Sequence, residues 1–156
     1  MAINKGRMTA PVDTDVVVFL IGMRINNVFA VSQWVPVFLA MARMLPELYK
    51  NPALGFKSYE MWFSRTLILV QYWESPEKLM AYAKAKDSEH LPAWRAFNRA
   101  AHASTAVGIW HETYVVPKGN AENMYVNMPA FGFGKVAPLV EAVGKLNSAK
   151  GRLTGQ

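Results

Sequence analysis

Residues 15–23, DVVVFLIGM, are apolar at odd and even positions alike. β-branched and aromatic side chains packed into so short a run favour a strand. Side chains alternate between the two sides of a strand, so this one has to be covered on both faces. Residues 66–73, TLILVQYW, have the same character, with Gln71 as the polar exception. Two such strands exclude a sheet with one face left to water.

The rest of the chain supplies one kind of cover. Residues 33–50 place Val37, Ala40, Met41, Met44 and Leu48 at helical spacing, with Pro36 in the expected first turn, Pro46 as a late kink and Asn51-Pro52 as the stop. A turn at Gly55 leads to a strand over 56–63, and Ser64-Arg65 makes a tight hairpin into the next strand. Ser75-Pro76-Glu77 reads as a helix start, with a cap, a proline at the first position and an acid in the first turn. Leu79, Tyr82, Ala83 and Lys86 follow on that helix, and Pro92 forces a kink or restart before a second helical piece that runs to about residue 102. A strand over 108–116, a turn at 117–120 and a short strand over 124–128 complete the pattern. Residues 135–147 are expected to form a terminal helix, with a disordered tail after it.

The order β-α-β-β-α-β is the split βαβ pattern of a ferredoxin-like α+β domain. Two helices cover one face of its sheet. For the other face the favoured cover is the sheet of a second copy, in a homodimer, and the alternative is the C-terminal segment of the same chain. Expected boundaries are an N-terminal arm at 1–14, the α+β domain at 15–130 and a C-terminal extension at 131–156.

Composition bounds the function. The chain of 156 residues is 52% apolar and 18% charged, which points to an interface or an apolar cavity beyond an ordinary core. It has no cysteine, which excludes thiolate chemistry. The net charge is +6, yet basic residues occur singly except toward the C-terminus, with Lys135, Lys145, Lys150 and Arg152. No basic stripe or reader motif for nucleic acid is present. The longest uncharged run is interrupted by Asn26, Asn27, Gln33 and Pro36, which argues against a membrane span, and the first residues lack a signal-peptide pattern. A cytoplasmic location and no membrane partner are the expectations.

Three histidines, His90, His102 and His111, are the candidates for chemistry. His102 lies near an expected helix C-terminus, which favours an imidazolium for dipole reasons alone. His111 lies within the strand over 108–116, sharing a face with Ile109, Thr113 and Val115, where an imidazole needs a partner. Zinc-ligand spacing, a nucleophile elbow, a P-loop and a dinucleotide fingerprint are all missing. Five tryptophans and nine methionines suit a hydrophobic pocket as well as an ordinary core.

The stretches VVVFLIGMRIN, LILVQYWESPEKLMAYA, EHLPAWRAFNRA, GIWHETYVV and YVNMP, spanning about residues 8–134, closely resemble a monooxygenase-like family. That family is similar to phenylacetaldoxime dehydratase and to the antibiotic-biosynthesis-type monooxygenases. The resemblance implies the dimeric α+β barrel, and it implies haem b. His90 matches a haem-ligating helix histidine, with Trp94 and Arg95 lining the cofactor, and His111 matches a second histidine near the iron, a general acid/base. By similarity to haem-degrading members, Asn26 (or Asn27) and Trp73 are further catalytic counterparts. The arginine and serine of the aldoxime dehydratases find no match here. The implied function is a haem-binding oxidoreductase-type or dehydratase-type enzyme acting on a small, largely apolar substrate. Its competitors are a cofactor-independent monooxygenase or isomerase-like enzyme, and a non-catalytic binding or stress-associated module.

Overall fold

A computed structural model describes residues 2–85, 97–98 and 104–154. Its central element is the doubly apolar run, which forms strand β2 (Val16–Ile25). β2 pairs antiparallel with β4 (Thr66–Trp73) on one side and with β5 (Val107–Val116) on the other. β3 (Phe56–Trp62) joins β4 through the expected hairpin, giving a four-stranded sheet in the order β3-β4-β2-β5. With α1 (Val31–Lys50) and α2 (Pro76–Lys84) this is the ferredoxin-like α+β fold, the unit of an α+β barrel.

Register decides which residues share a face, because directly paired residues point the same way. Val17, Phe19, Ile21, Met23 and Ile25 lie on one side with Trp73, Gln71, Leu69 and Leu67 of β4 and with the odd-numbered residues of β5. α1 and α2 cover this side. Val17, Met23, Leu48, Leu67, Leu69 and Trp73 are each at most 2% exposed at its centre. Burying a side chain of that size stabilises the fold by about 1.5–3 kcal/mol. Tyr82 on α2 donates its hydroxyl to Glu47 on α1 at 2.7 Å, fastening the helices together.

The helix starts follow local chemistry. Ser75 Oγ accepts the Lys78 N–H at 3.3 Å, and Pro76 stands first in α2. α1 begins two residues earlier than its spacing predicts, at Val31. Pro36 is therefore inside the helix and not in its first turn. Ala30 offers no side-chain cap. Its carbonyl accepts the N–H groups of Gln33 and Trp34, while the Trp34 indole donates to Val28 O at 3.1 Å.

The second face of the sheet is partly closed by the same chain. Residues 131–135 cross β3 and β4 as a strap, ending in a 3₁₀ turn, Gly132–Lys135. Phe131 meets Trp62 edge-on at 6.0 Å, and Phe133 meets Tyr72 at 5.9 Å. Glu60 accepts the Gly132 N–H at 2.8 Å and pairs with Lys135 at 2.7 Å. The Tyr125 hydroxyl accepts the Gly134 N–H at 2.9 Å. Val18, Leu20, Val70 and Trp110, toward β2 and β5, stay half-buried.

Three expectations for the chain ends are corrected. The short strand near 124–128 forms as β6 (Tyr125–Met128), but it pairs with β1 (Asn4–Thr9) from the expected N-terminal arm. β7 (Val140–Glu141) lies on the other side of β1, making a separate sheet in the order β6-β1-β7. β1 reads NKGRMT, with no apolar alternation to announce it. The helix expected over 135–147 does not form. Gly132 and Gly144 take positive φ (55° and 56°) and Pro138 interrupts the interval. Ala149–Thr154 is helical (α3) where a disordered tail is expected, because Arg152 binds Glu122 at 2.7 Å and the carbonyls of Leu146 and Asn147.

Candidate functional site

α1 is apolar over a wide arc. One row of side chains, Val37, Met41 and Leu48, enters the core, and the adjacent row at 38, 41, 45 and 49 (spacings of three and four) faces β3. Between that row and the sheet lies a cleft of about 300 Å³. Phe38, Met41, Leu45 and Pro46 form one wall, Tyr59 and Met61 of β3 the other, and Leu67 and Leu69 of β4 the floor. This volume is at the lower end of the range for small-molecule pockets, about 300–1,000 Å³.

The polar side-chain groups of the lining are phenols. Tyr49 stands at the rim, half exposed, with its ring 6.0 Å from that of Tyr59. Desolvation and the neighbouring Tyr59 push the Tyr49 phenol above its ordinary value of 10.0. It is therefore a neutral hydrogen-bonding group at physiological pH. The cleft suits an uncharged, mostly hydrocarbon molecule with a single polar group.

His111 lies on the helix-facing side of β5, as strand parity requires, opposite Ile21. It is exposed, its ring 5.8 Å from Phe19 and tilted by 46°. Among the described residues its imidazole has no hydrogen-bond partner. Glu112 points to the other face and accepts the Tyr114 hydroxyl at 2.6 Å, so it does not orient His111. The cleft is centred over β3 and β4, with β2 intervening before β5. His111 and the cleft floor on β4 are thus two strand spacings apart, roughly 10 Å.

Trp73 is 2% exposed, its ring packed against Phe56 and Tyr82 and its N–H donated to Gln71 Oε1 at 3.0 Å. Every part of that indole is used in packing. Asn26 follows the end of β2 and gives its amide to Thr105 O at 2.9 Å, holding the start of β5. Along β2 the partner of Trp73 (Val17) is four residues from the partner of His111 (Ile21), about 13 Å, and Asn26 is five residues away in the opposite direction. The structure does not gather His111, Asn26 and Trp73 into one group. His90, Trp94 and Arg95 lie outside the described residues. Among those described, no group of three His, Asp or Glu side chains could hold a metal ion.

The cleft residues Phe38, Tyr49, Tyr59 and Met61 were missed in reading the sequence. Their signal was the second apolar row on α1, which a helix with one buried stripe does not need.

Comparison with known proteins places the chain. A family model described as "Monooxygenase af470-like" matches residues 16–133. Monooxygenase af470 of Aspergillus fumigatus is 29% identical over 123 residues, 72% of this chain and 42% of that protein. Among solved structures, an aldoxime dehydratase superposes with a TM-score of 0.70 at 20% identity, covering 90% of this chain and 43% of the other. The aldoxime dehydratase OxdRE, in complex with butyraldoxime, gives 0.68 at 17%, covering 85% and 39%. Similarity at that level of identity establishes the fold. The chain spans less than half the length of each of these three proteins.

Proposed function

The chain belongs to the Monooxygenase af470-like family, and from that premise we propose that it is an oxidoreductase-type or dehydratase-type enzyme acting on a small, largely apolar substrate. The cleft between α1 and β3–β4 carries this reading. Its carbon walls strip water from an apolar body and its phenols bind one polar group, which fixes orientation before any chemistry.

In its fuller form the proposal includes haem b. His90 would hold the iron in this reading, and Trp94 and Arg95 would line the cofactor. Haem, when bound, supplies a redox-active iron. The described residues fit such a group in part. His111 offers an exposed imidazole on the helix-facing side, able to give or take a proton at a ring nitrogen. Trp73 is closed into the core and the Asn26 amide is engaged, so neither is given a step.

The test is a haem titration of the purified protein. A Soret band that forms in the parent and is lost in His90→Ala supports the haem reading, and no spectral change on adding haem overturns it. The cofactor-independent oxygenase then stands next, favoured by an apolar cleft that can hold a small substrate without a bound group. Turnover unaffected by His111→Ala would reduce that residue to a structural one. Ligand affinity without turnover would make the chain a binding module.

The proposal also includes a homodimer. The strap leaves Val18, Leu20, Val70 and Trp110 as an apolar strip on the second face, suited to the sheet of a second copy. Light scattering that finds a monomer would overturn it.

A further inference from the structure

Gln71 is the polar exception in β4, and it does not sit at a margin: it is 7% exposed, on the helix-facing side of the sheet. Its Oε1 accepts the Trp73 indole N–H at 3.0 Å. An indole nitrogen can only donate, so the atom facing it has to be the amide oxygen, and the amide cannot lie the other way round. Both N–H groups of Nε2 are left over, and they make no hydrogen bond among the described residues. Nor is Nε2 closed off: among the described side chains, Ser58 Oγ is the polar atom both sealed and unpartnered. A buried donor with a fixed direction and an opening is suited to an acceptor from outside the chain.

Register puts that donor at one end of the cleft. Gln71 follows the floor residues Leu67 and Leu69 on the same face of β4, and its partner on β3 is Tyr59, a wall residue. α1 runs antiparallel to β3, so Tyr49 reaches Phe56 and Tyr59 at this end, while Phe38 reaches Phe63 at the other. The Phe38 and Phe63 rings meet edge-on, 5.6 Å apart, and bridge the helix to the β3–β4 hairpin. The cleft therefore has a polar end, with Gln71 and two phenols, and an apolar end spanned by two phenyl rings. Among the described residues no charged side chain lines it.

We infer that Gln71 anchors a linear, uncharged hydrocarbon that carries a carbonyl-type acceptor oxygen at one end. Nε2 donates to that oxygen, and the chain lies along the trough with its tail toward Phe38 and Phe63. From Gln71 to Leu67 is four residues, about 13 Å of strand. An extended residue advances by its three backbone bonds, about 1.2 Å each, so a hydrocarbon of about ten bonds fills the trough. A neutral amide donor in a lining of carbon selects a neutral oxygen over a carboxylate, whose charge would go uncompensated there. Trp73, sealed in the core, is a positioning residue in this arrangement: its N–H holds the amide oxygen and so aims the nitrogen. This inference rests on the cleft being the substrate site, as proposed above.

The experiment measures displacement of an apolar fluorescent dye by linear methyl ketones and by 1-alkenes of the same length. In the parent, ketone affinity should rise about four-fold with each added carbon and level off near about ten bonds. In Gln71→Leu the ketone-to-alkene affinity ratio should fall by about ten-fold, the share of one hydrogen bond. A purely structural role would weaken both ligands alike and leave the ratio unmoved. Gln71→Leu strips the Trp73 N–H of its acceptor, so Gln71→Leu/Trp73→Phe, which removes both partners, repeats the measurement, with circular dichroism as the check on folding. Phe63→Ala, at an exposed position, should move the length limit to longer chains. The infrared carbonyl band of the ketone bound to the parent needs no variant, and it should lie below its position in hexane. No displacement in the parent, or displacement that survives Ala42→Trp, would overturn the cleft as the site and this inference with it. With binding confined to the cleft, an unchanged ratio, an unshifted carbonyl band or an unmoved length limit would overturn the inference alone.

Discussion

Replacing Tyr125 by phenylalanine removes one oxygen atom and almost nothing else. That hydroxyl accepts the Gly134 N–H at 2.9 Å, and both residues are buried. The ring stays, so no cavity opens and packing against Gly134 is kept. What remains is a buried amide N–H without an acceptor, and such an orphan costs about 1–3 kcal/mol. The strap cannot turn that N–H to water without releasing its neighbours. Gly132 is held by Glu60, and Phe133 lies on Tyr72. A loss near the middle of the range, about 2 kcal/mol, lowers Tm by about 4–8 °C in a chain of this size. Thermal unfolding followed by circular dichroism measures it, with Tyr49→Phe, at an exposed position, as a control expected to shift little. A Tm for Tyr125→Phe within 1 °C of the parent would refute the reasoning, because the strap would then not depend on this bond.

Three other outcomes follow from the same geometry. Burial raises the Tyr72 and Tyr125 phenols above their ordinary 10.0, with Tyr125 and Glu60 adding to the rise at Tyr72 and Glu60 at Tyr125. Their contribution to stability is complete below about pH 10, where both states are protonated. It is lost as pH rises through the folded values, because the unfolded phenols ionise first. Urea midpoints should therefore fall between pH 9 and pH 11, and fall less in a Tyr72→Phe/Tyr125→Phe variant. In Gly22→Ala the new methyl would overlap the Leu67 carbonyl oxygen and come within 2.7 Å of Trp110 Nε1, at the centre of a ladder that cannot shift. A loss of at least about 1–3 kcal/mol is expected in chemical denaturation. Ala42→Trp, at an exposed cleft position, should leave the urea midpoint nearly unchanged and cut the binding of an apolar fluorescent dye by about ten-fold or more. Unaltered dye binding would show that the cleft is not where such molecules go.

Much of the central domain was legible because its signals are local. Parity along residues 15–23 and 66–73 put Val17 and Trp73 on a buried face, and it put His111 and Glu112 on opposite faces, as the register has them. Ser75-Pro76 announced α2 through chemistry contained in four residues. The candidate site was less legible. Trp73 and His111 both looked available, but only packing distinguishes an indole sealed between Phe56 and Tyr82 from an imidazole left exposed beside Phe19. The cleft has no motif, since Phe38, Tyr49 and Met61 become neighbours only when α1 is laid across β3.

The sequence by itself determined the ferredoxin-like order and the demand that both faces of the sheet be covered. Periodicity and capping act within a few residues, and each residue carries them wherever the chain goes. Tertiary structure decided what does the covering and which distant residues meet. Residues 131–135 close part of the second face because Glu60, Tyr72 and Tyr125 come from three different strands to meet one turn. Arg7 and Asn147 stand 140 positions apart, and they meet because β1 inserts between β6 and β7. Contacts of that kind are set by the closure of long loops, and no local pattern encodes them.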